Sequence, residues 1–120
     1  MAIKVAVIGG GTGNYSVLSG LKFYKPLSLT AIVSMMDDGG STGKLRSEFG
    51  ILPPGDIRQC MVALSEESKL ILQLFQHRFK GSLGGHSFGN LFHLALTEIT
   101  GSEESAITEM SKILKIAGKV

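Results

Sequence analysis

Two short apolar runs open the chain, with a helical pattern between them. Residues 3–8 and 29–34 are nearly continuous apolar stretches rich in β-branched residues, as in strands buried on both faces of a parallel sheet. Glycines follow the first run, and Asn14 is placed to cap a helix over Tyr15–Phe23, which Pro26 closes. Residues 3–34 are therefore predicted to form one βαβ unit.

Helical periodicity continues along the rest of the chain, interrupted by glycine-rich segments. A polar stretch ends in the rigid turn Pro53-Pro54-Gly55, after which Asp56 and Gln59 are predicted to cap a helix over Ile57–Leu64. Further predicted elements are helices over Glu67–Phe79, Leu91–Ile99 (capped by Asn90) and Ser102 to Gly118, and the first step of a strand at Lys119–Val120.

This order of elements predicts an α/β fold with parallel strands. Two strands with four or five helices would leave apolar faces without partners. We therefore expect the 120 residues to be the N-terminal part of one larger nucleotide-binding domain. A complete small helical α/β domain is the alternative.

Composition and charge exclude several classes of function. The chain is 43% hydrophobic and 18% charged, and its net charge of +2 includes no block of basic residues, which argues against a nucleic-acid groove. The single cysteine, Cys60, excludes an intrachain disulfide. The chain passes directly into a strand pattern with no signal peptide, and no apolar run could span a membrane. We expect a cytoplasmic location.

Glycine and aspartate point to a site. The chain has 16 glycines, most of them clustered, and its three aspartates, Asp37, Asp38 and Asp56, all lie in or beside glycine-containing segments. The first cluster, Gly9-Gly10-Gly11-Thr12-Gly13, joins a strand to a helix, where free backbone N–H groups can hold a phosphate. A dinucleotide fingerprint would need glycine at Ser16, and a tight turn without a ligand is the alternative.

The second motif, Asp37 to Arg46, resembles a P-loop but fails its pattern. Asp38 stands where the first glycine belongs, and Leu45 follows the lysine where serine or threonine is required. Paired carboxylates after a strand can hold a ribose hydroxyl, bind Mg²⁺ or act as a base. Neighbouring candidate ligand contacts are Gly39, Gly40, Ser41, Lys44 and Arg46. A solvated turn is the alternative.

Two further segments supply candidate ligand-binding side chains. Gly55, Asp56 and Arg58 follow a rigid turn, although Asp56 could serve only as a helix cap. His86, Ser87 and Asn90 lie in a second glycine-rich segment before a helix, where a capping loop is the alternative. His77 and His93 lack partners at metal-ligand spacing, and Cys60 is interpreted as a small buried hydrophobe.

With these residues in view, the sequence resembles the gluconeogenesis factor (YvcK-like) family, relatives of the CofD 2-phospho-L-lactate transferases. The segments that carry the resemblance follow the family's order: Ile8-Gly9-Gly10-Gly11-Thr12-Gly13, Leu18-Ser19-Gly20-Leu21-Lys22, Thr30-Ala31-Ile32-Val33, Asp37 to Arg46, Leu52-Pro53-Pro54-Gly55-Asp56-Ile57-Arg58 and Gly85-His86-Ser87-Phe88-Gly89-Asn90-Leu91. The Pro-Pro-Gly-Asp-Ile-Arg segment favours the gluconeogenesis factor branch. Family members are much longer than this chain.

The resemblance implies a Rossmann-like three-layer fold and a cytoplasmic UDP-sugar-binding factor of carbon metabolism, required for growth and cell morphogenesis under gluconeogenic conditions. It places a diphosphate on the first loop, ribose or Mg²⁺ at Asp37 and Asp38, and His86 with Asn90 along the cleft. A Mg²⁺-dependent phospholactate transferase is the main alternative, so whether the chain is an enzyme stays open. A nicotinamide enzyme, an interaction domain and a homo-oligomeric assembly are further possible interpretations.

Overall fold

The computed structural model describes residues 2–34 and 54–120. Two strands and five α-helices follow one another along these ranges, with a short 3₁₀ turn at Gly81–Leu83. The strands are β1 (Ile3–Gly9) and β2 (Leu27–Val33), and the helices are α1 (Gly11–Leu21), α2 (Pro54–Leu64), α3 (Lys69–Gln76), α4 (Phe88–Thr100) and α5 (Glu103–Leu114). None of the helices in these ranges is long and apolar enough to cross a membrane.

The first three elements form the predicted βαβ unit. β1 and β2 pair in parallel, from Ile3 opposite Leu27 to Gly9 opposite Val33, and α1 makes the crossover between them. Lys119 lies beside β2 in a parallel bridge: its N–H donates to Leu29 (3.0 Å) and its carbonyl accepts from Ala31 (2.8 Å). The predicted strand start at Lys119 is thus confirmed, and the α/β class with parallel strands is correct.

Helix α2 is the centre of the packing. One apolar cluster joins its Cys60, Ala63 and Leu64 to α1 and the sheet, and a second joins Ile57, Met61 and Val62 to the other helices. Both clusters need apolar residues all round the helix, and the run from Cys60 to Leu64 supplies them. Helix α2 packs against α1 on one side and against α4 on the other. Its first turn therefore lies between these two helices, at the candidate site.

The two faces of the sheet differ. Leu29 and Ala31 of β2 are buried against the helices, whereas Ile8 and Ile32, paired in register on the other face, are 76% and 49% exposed. The sequence predicted burial on both faces, and that expectation is wrong within residues 2–34 and 54–120. The apolar pattern was read correctly, but no described helix packs on the second face.

Several predicted helix starts are displaced. α1 begins at Gly11, so Asn14 lies inside the helix and does not cap it. α2 begins at Pro54, which places Asp56 within the first turn. α4 is capped by Ser87, whose hydroxyl accepts from the Asn90 N–H (3.1 Å), so Asn90 is not the cap. The three corrections share one cause: each helix extends further toward its N-terminus than its first strongly periodic residue suggests.

Helix ends are displaced as well. α3 covers Lys69–Gln76 and is shorter than predicted at both ends. α5 begins at Glu103, one residue after the predicted start Ser102, which is its N-cap: the Ser102 hydroxyl accepts from the Ser105 N–H (3.1 Å). It ends at Leu114, because Lys115 adopts a left-handed conformation (φ 51°) and closes the helix before Gly118.

Candidate functional site

The first glycine loop presents an open helix start. Gly10 is the N-cap of α1 and has an extended backbone, and no side chain caps the helix. A Cβ added at Gly10 or Gly13 would meet no atom of the described residues within 4 Å, so ligand atoms could approach the backbone there. The first N–H groups of α1 lack partners within the helix and carry the positive end of its dipole. This arrangement suits a phosphate or another anion.

Asn14 ties this loop to the strand ends. Its side chain is 1% exposed, and Nδ2 donates to the carbonyls of Gly9 (3.2 Å) and Ile32 (3.4 Å). A Cβ on Gly9 would approach Asn14 Oδ1 to 3.3 Å, which is tighter than ordinary van der Waals contact. One buried amide therefore fixes the carboxyl ends of β1 and β2 relative to the start of α1.

Gly11 brings the start of α2 against the same loop. A Cβ at Gly11 would lie 2.6 Å from Asp56 Oδ1 and 3.1 Å from Gln59 Cδ, so only glycine allows this approach. Asp56 is buried, and as an acidic residue in the first turn of α2 it is stabilised by that helix's dipole. The structure thus brings two predicted site residues together, Gly11 of the first loop and Asp56.

Arg58 is a buried cation on the neighbouring side of α2. The residue is 5% exposed, and its Nε donates to Asn90 Oδ1 (2.9 Å). A Cβ on Gly89 would lie 2.4 Å from Arg58 Cδ and 2.6 Å from the Phe75 carbonyl, so the side chain passes where glycine leaves room. Burial lowers the pKa of Arg58 to about 10, repulsion from Arg78 adds to the decrease, and attraction to Asp56 opposes it.

The second glycine-rich segment is closed by its own side chains. Ser87 is fully buried as the cap of α4, and Asn90 is buried against Arg58. The carbonyl of His86 accepts from the Phe79 N–H (3.0 Å), and the Gly85 carbonyl accepts from Arg78 Nη1 (2.9 Å). Ser87 and Asn90 therefore organise the protein interior and support Arg58, and their contact with a ligand stays a prediction.

The remaining predicted site residues fall outside the part of the chain that the structure describes. These are Asp37, Asp38, Gly39, Gly40, Ser41, Lys44 and Arg46. The chain enters that segment close to the first loop, since the Ser34 N–H donates to the Gly9 carbonyl (2.8 Å). Their roles toward ribose, phosphate or Mg²⁺ stay predictions.

Some residues that shape this region were missed or misread in the sequence. Asn14 was interpreted as a cap, yet α1 begins at Gly11, within the glycine cluster, so Asn14 lies in the first turn of the helix. Tyr15, Gln59 and Gln76 line a pocket with Arg58. Gln59 was interpreted only as a capping partner of Asp56, and no sequence signal marked Gln76, because neutral polar residues on helices are usually only solvated.

His93 is buried in α4 and pairs with Glu103 of α5. Its Nε2 lies 3.0 Å from Glu103 Oε2, and its buried Nδ1 has no hydrogen-bond partner among the described residues. Burial lowers the pKa of His93, and Glu103 opposes that decrease. Among residues 2–34 and 54–120, no three His, Cys, Asp or Glu side chains form a group that could hold a metal ion.

Burial also governs Cys60. The thiol is fully buried in α2, and burial raises its pKa to about 11, which makes it a poor nucleophile.

Comparison with known proteins identifies relatives over almost the whole chain. The sequence profile described as "2-phospho-L-lactate transferase CofD" matches residues 5–120. The gluconeogenesis factor of Bacillus subtilis is 56% identical over 119 residues, covering 98% of this chain and 37% of that protein. The gluconeogenesis factor of Listeria innocua is 52% identical over 119 residues, with the same coverage of 98% and 37%.

The fold has a counterpart among solved structures. The X-ray crystal structure of a Bacillus halodurans protein superposes with a TM-score of 0.92 at 54% identity, covering 98% of this chain and 38% of that chain. The present chain thus spans well under half the length of these relatives. Both the sequence profile and the relatives agree with the resemblance drawn from the glycine and aspartate motifs. The chain therefore belongs to the CofD family and, within it, to the gluconeogenesis factor (YvcK-like) proteins.

Proposed function

We propose that the chain supplies the phosphate-binding wall of a UDP-sugar site in a gluconeogenesis factor that supports growth and cell morphogenesis under gluconeogenic conditions. The observation that carries the proposal is the uncapped start of α1, where Gly10 and Gly13 leave the backbone open. A diphosphate placed there would accept hydrogen bonds from N–H groups that have no partner within the helix.

Neighbouring groups support a nucleotide ligand. Ser34 leads from the same sheet end toward Asp37 and Asp38, whose carboxylates would hold the ribose hydroxyls or a Mg²⁺ ion bound with the diphosphate. Asp56 stands against Gly11 and fixes the loop from its other side. The proposed location is the cytoplasm, where nucleotide sugars are available.

Calorimetric titration with UDP-N-acetylglucosamine tests this proposal, using the chain and the longer Bacillus subtilis gluconeogenesis factor in parallel. Gly13→Ala should weaken binding roughly tenfold (about 1.4 kcal/mol), because the methyl group occupies the space through which the phosphate approaches. Gly20→Ala is the matched control: it adds the same methyl to open space on α1, two turns away, and should leave binding unchanged. Absence of heat from both proteins at millimolar ligand would refute the proposal.

A second function is favoured by the matching family profile, a 2-phospho-L-lactate transferase over residues 5–120. That reaction would use Mg²⁺ and a nucleoside diphosphate donor, with Asp37 and Asp38 as the candidate metal ligands. The double variant Asp37→Ala, Asp38→Ala would abolish turnover if this alternative is correct. A full-length protein with undiminished transferase activity in that variant would exclude the assignment of these two residues.

A further inference from the structure

The pocket that Arg58 lines lies beside the glycine loop, on the flank of α2. It has a volume of about 310 Å³ and is lined by Tyr15 of α1, Arg58 and Gln59 of α2, and Gln76 at the end of α3. We call it the arginine pocket. Its volume corresponds to roughly ten water molecules in the liquid, so a phosphate or a small organic acid fits within it. Its lining residues differ from those that present the open N–H groups of α1.

Arg58 enters this pocket already oriented. Its aliphatic stem passes over Gly89, and its Nε is occupied by Asn90 Oδ1 at 2.9 Å. Among the described residues, the structure gives no hydrogen-bond acceptor to the two terminal guanidinium nitrogens. A residue that is 5% exposed thus keeps a planar pair of donors for the space that it lines. Little conformational entropy would be lost when an acceptor binds.

The charge around Arg58 is unbalanced. Burial is the main cause of the lowering of the Arg58 pKa to about 10; repulsion from Arg78, which the Gly85 carbonyl holds at 2.9 Å, adds to the decrease, and attraction to Asp56 opposes it. Burying a guanidinium beside a second cation is costly unless an anion joins them. A bound oxyanion would add an attraction that opposes this repulsion and would raise the pKa of Arg58.

We propose that the arginine pocket binds an oxyanion, the phosphate or carboxylate group of a small metabolite, with Arg58 as its bidentate donor. Gln59 and Gln76 supply neutral hydrogen-bond partners, and Tyr15 forms the wall on the α1 side. This site is separate from the anion site at the start of α1 and does not depend on the nucleotide assignment. A ligand with two anionic ends, or two ligands, would occupy the two sites together.

Side-chain NMR of the 120-residue chain tests the proposal without any substitution. The arginine N–H signals are followed while inorganic phosphate or acetate is added to millimolar concentration. We expect saturable shifts of the Arg58 signals, and the anion that saturates at the lower concentration identifies the bound group as phosphate or carboxylate. If neither anion shifts the Arg58 signals, the proposal is overturned, even where the amides of Gly11 and Gly13 respond.

A conservative variant measures the contribution of the guanidinium. Arg58→Lys keeps the charge and removes the planar pair of donors, so the affinity for the anion should fall about tenfold. Lys80→Gln removes an exposed cation outside the pocket and should leave the affinity unchanged. Equal affinity of Arg58→Lys and the unmodified chain would contradict the proposal. Should Arg58→Lys fail to fold, the titration of the unmodified chain decides the question alone.

Discussion

Helices α1 and α4 both begin after a glycine-rich segment, but their first turns are satisfied in opposite ways. α1 has glycine at its N-cap and no side-chain cap, and its glycines at positions 10 and 13 face open space. α4 is capped by the fully buried Ser87, and Gly89 is pressed between Arg58 and the Phe75 carbonyl. At the start of α1, glycine leaves room for a ligand to reach the backbone. At the start of α4, it allows close packing of the protein interior.

This difference separates binding from support. An uncapped helix start keeps its N–H groups for a ligand, whereas a capped and buried start has already used them. The second segment contributes to function through Asn90, which holds Arg58 at the edge of the arginine pocket. The two glycine-rich segments thus have similar sequences but different roles. The start of α1 offers N–H groups to a ligand, whereas the start of α4 supports the cation Arg58.

The largest expected effect comes from adding a methyl group at each segment. Gly89→Ala should lower the free energy of unfolding by about 3 kcal/mol, because the new Cβ would lie 2.6 Å from the Phe75 carbonyl, which cannot move easily. Gly13→Ala should instead raise it by up to ~1 kcal/mol, since alanine favours the helix and the space is open. Urea denaturation of both variants measures the contrast, and equal effects would remove the distinction between the two segments.

Removing the support of Arg58 should have the next largest effect. Asn90→Ala leaves the buried Nε without its acceptor and should cost about 2 kcal/mol of stability. Asn90→Asp keeps an acceptor at that position and should lose less. Thermal denaturation of the two variants provides the comparison. A stable Asn90→Ala protein would show that Arg58 does not depend on the second segment.

Acid should lower the free energy of unfolding through His93, which is buried in α4. Because burial lowers the pKa of His93, the unfolded chain binds a proton more readily than the folded one, so stability falls as the pH drops below about 6.5. The slope from this group is at most ~1.4 kcal/mol per pH unit. Unfolding measured between neutral and mildly acidic pH should show a smaller slope for His93→Gln. His77→Gln changes an exposed residue and serves as the control.

The smallest expected effects come from exchanging the caps. Ser87→Ala should cost about 1 kcal/mol because α4 loses its cap. Gly10→Ser places a capping hydroxyl at α1 and should stabilise by only a few tenths of a kcal/mol. It should also weaken UDP-sugar binding, since the hydroxyl competes for the N–H groups. Unfolding and calorimetry on the two variants test whether capping and binding exclude each other.

The sequence predicted the βαβ unit and the family. Apolar runs and glycine spacing depend on neighbours within a few residues, so they can be read locally. The burial of Asn90 against Arg58 could not be predicted in this way. These residues lie 32 positions apart, and only the packing of α2 against α4 brings them together.

Helix starts were the least accurate part of the prediction. Glycines discourage a helical interpretation, yet α1 begins at Gly11, where the lack of a side chain also allows the close approach to Asp56. Similarly, Ser87 was treated as a candidate ligand contact although it caps α4. The approach of Gly11 to Asp56 is a tertiary contact that a local pattern does not contain, whereas the Ser87 cap is a local bond to an N–H three residues on.

Asn14 has a consequence for protein engineering. Its one amide bonds the final carbonyl of β1 and a carbonyl near the end of β2, while its own backbone belongs to the helix between them. A designer who transplants the glycine loop into another scaffold would therefore need to carry this asparagine and both strand ends. The transferable module is the loop together with Asn14 and the two strand ends. The five residues Gly9–Gly13 alone would not be held in a fixed orientation.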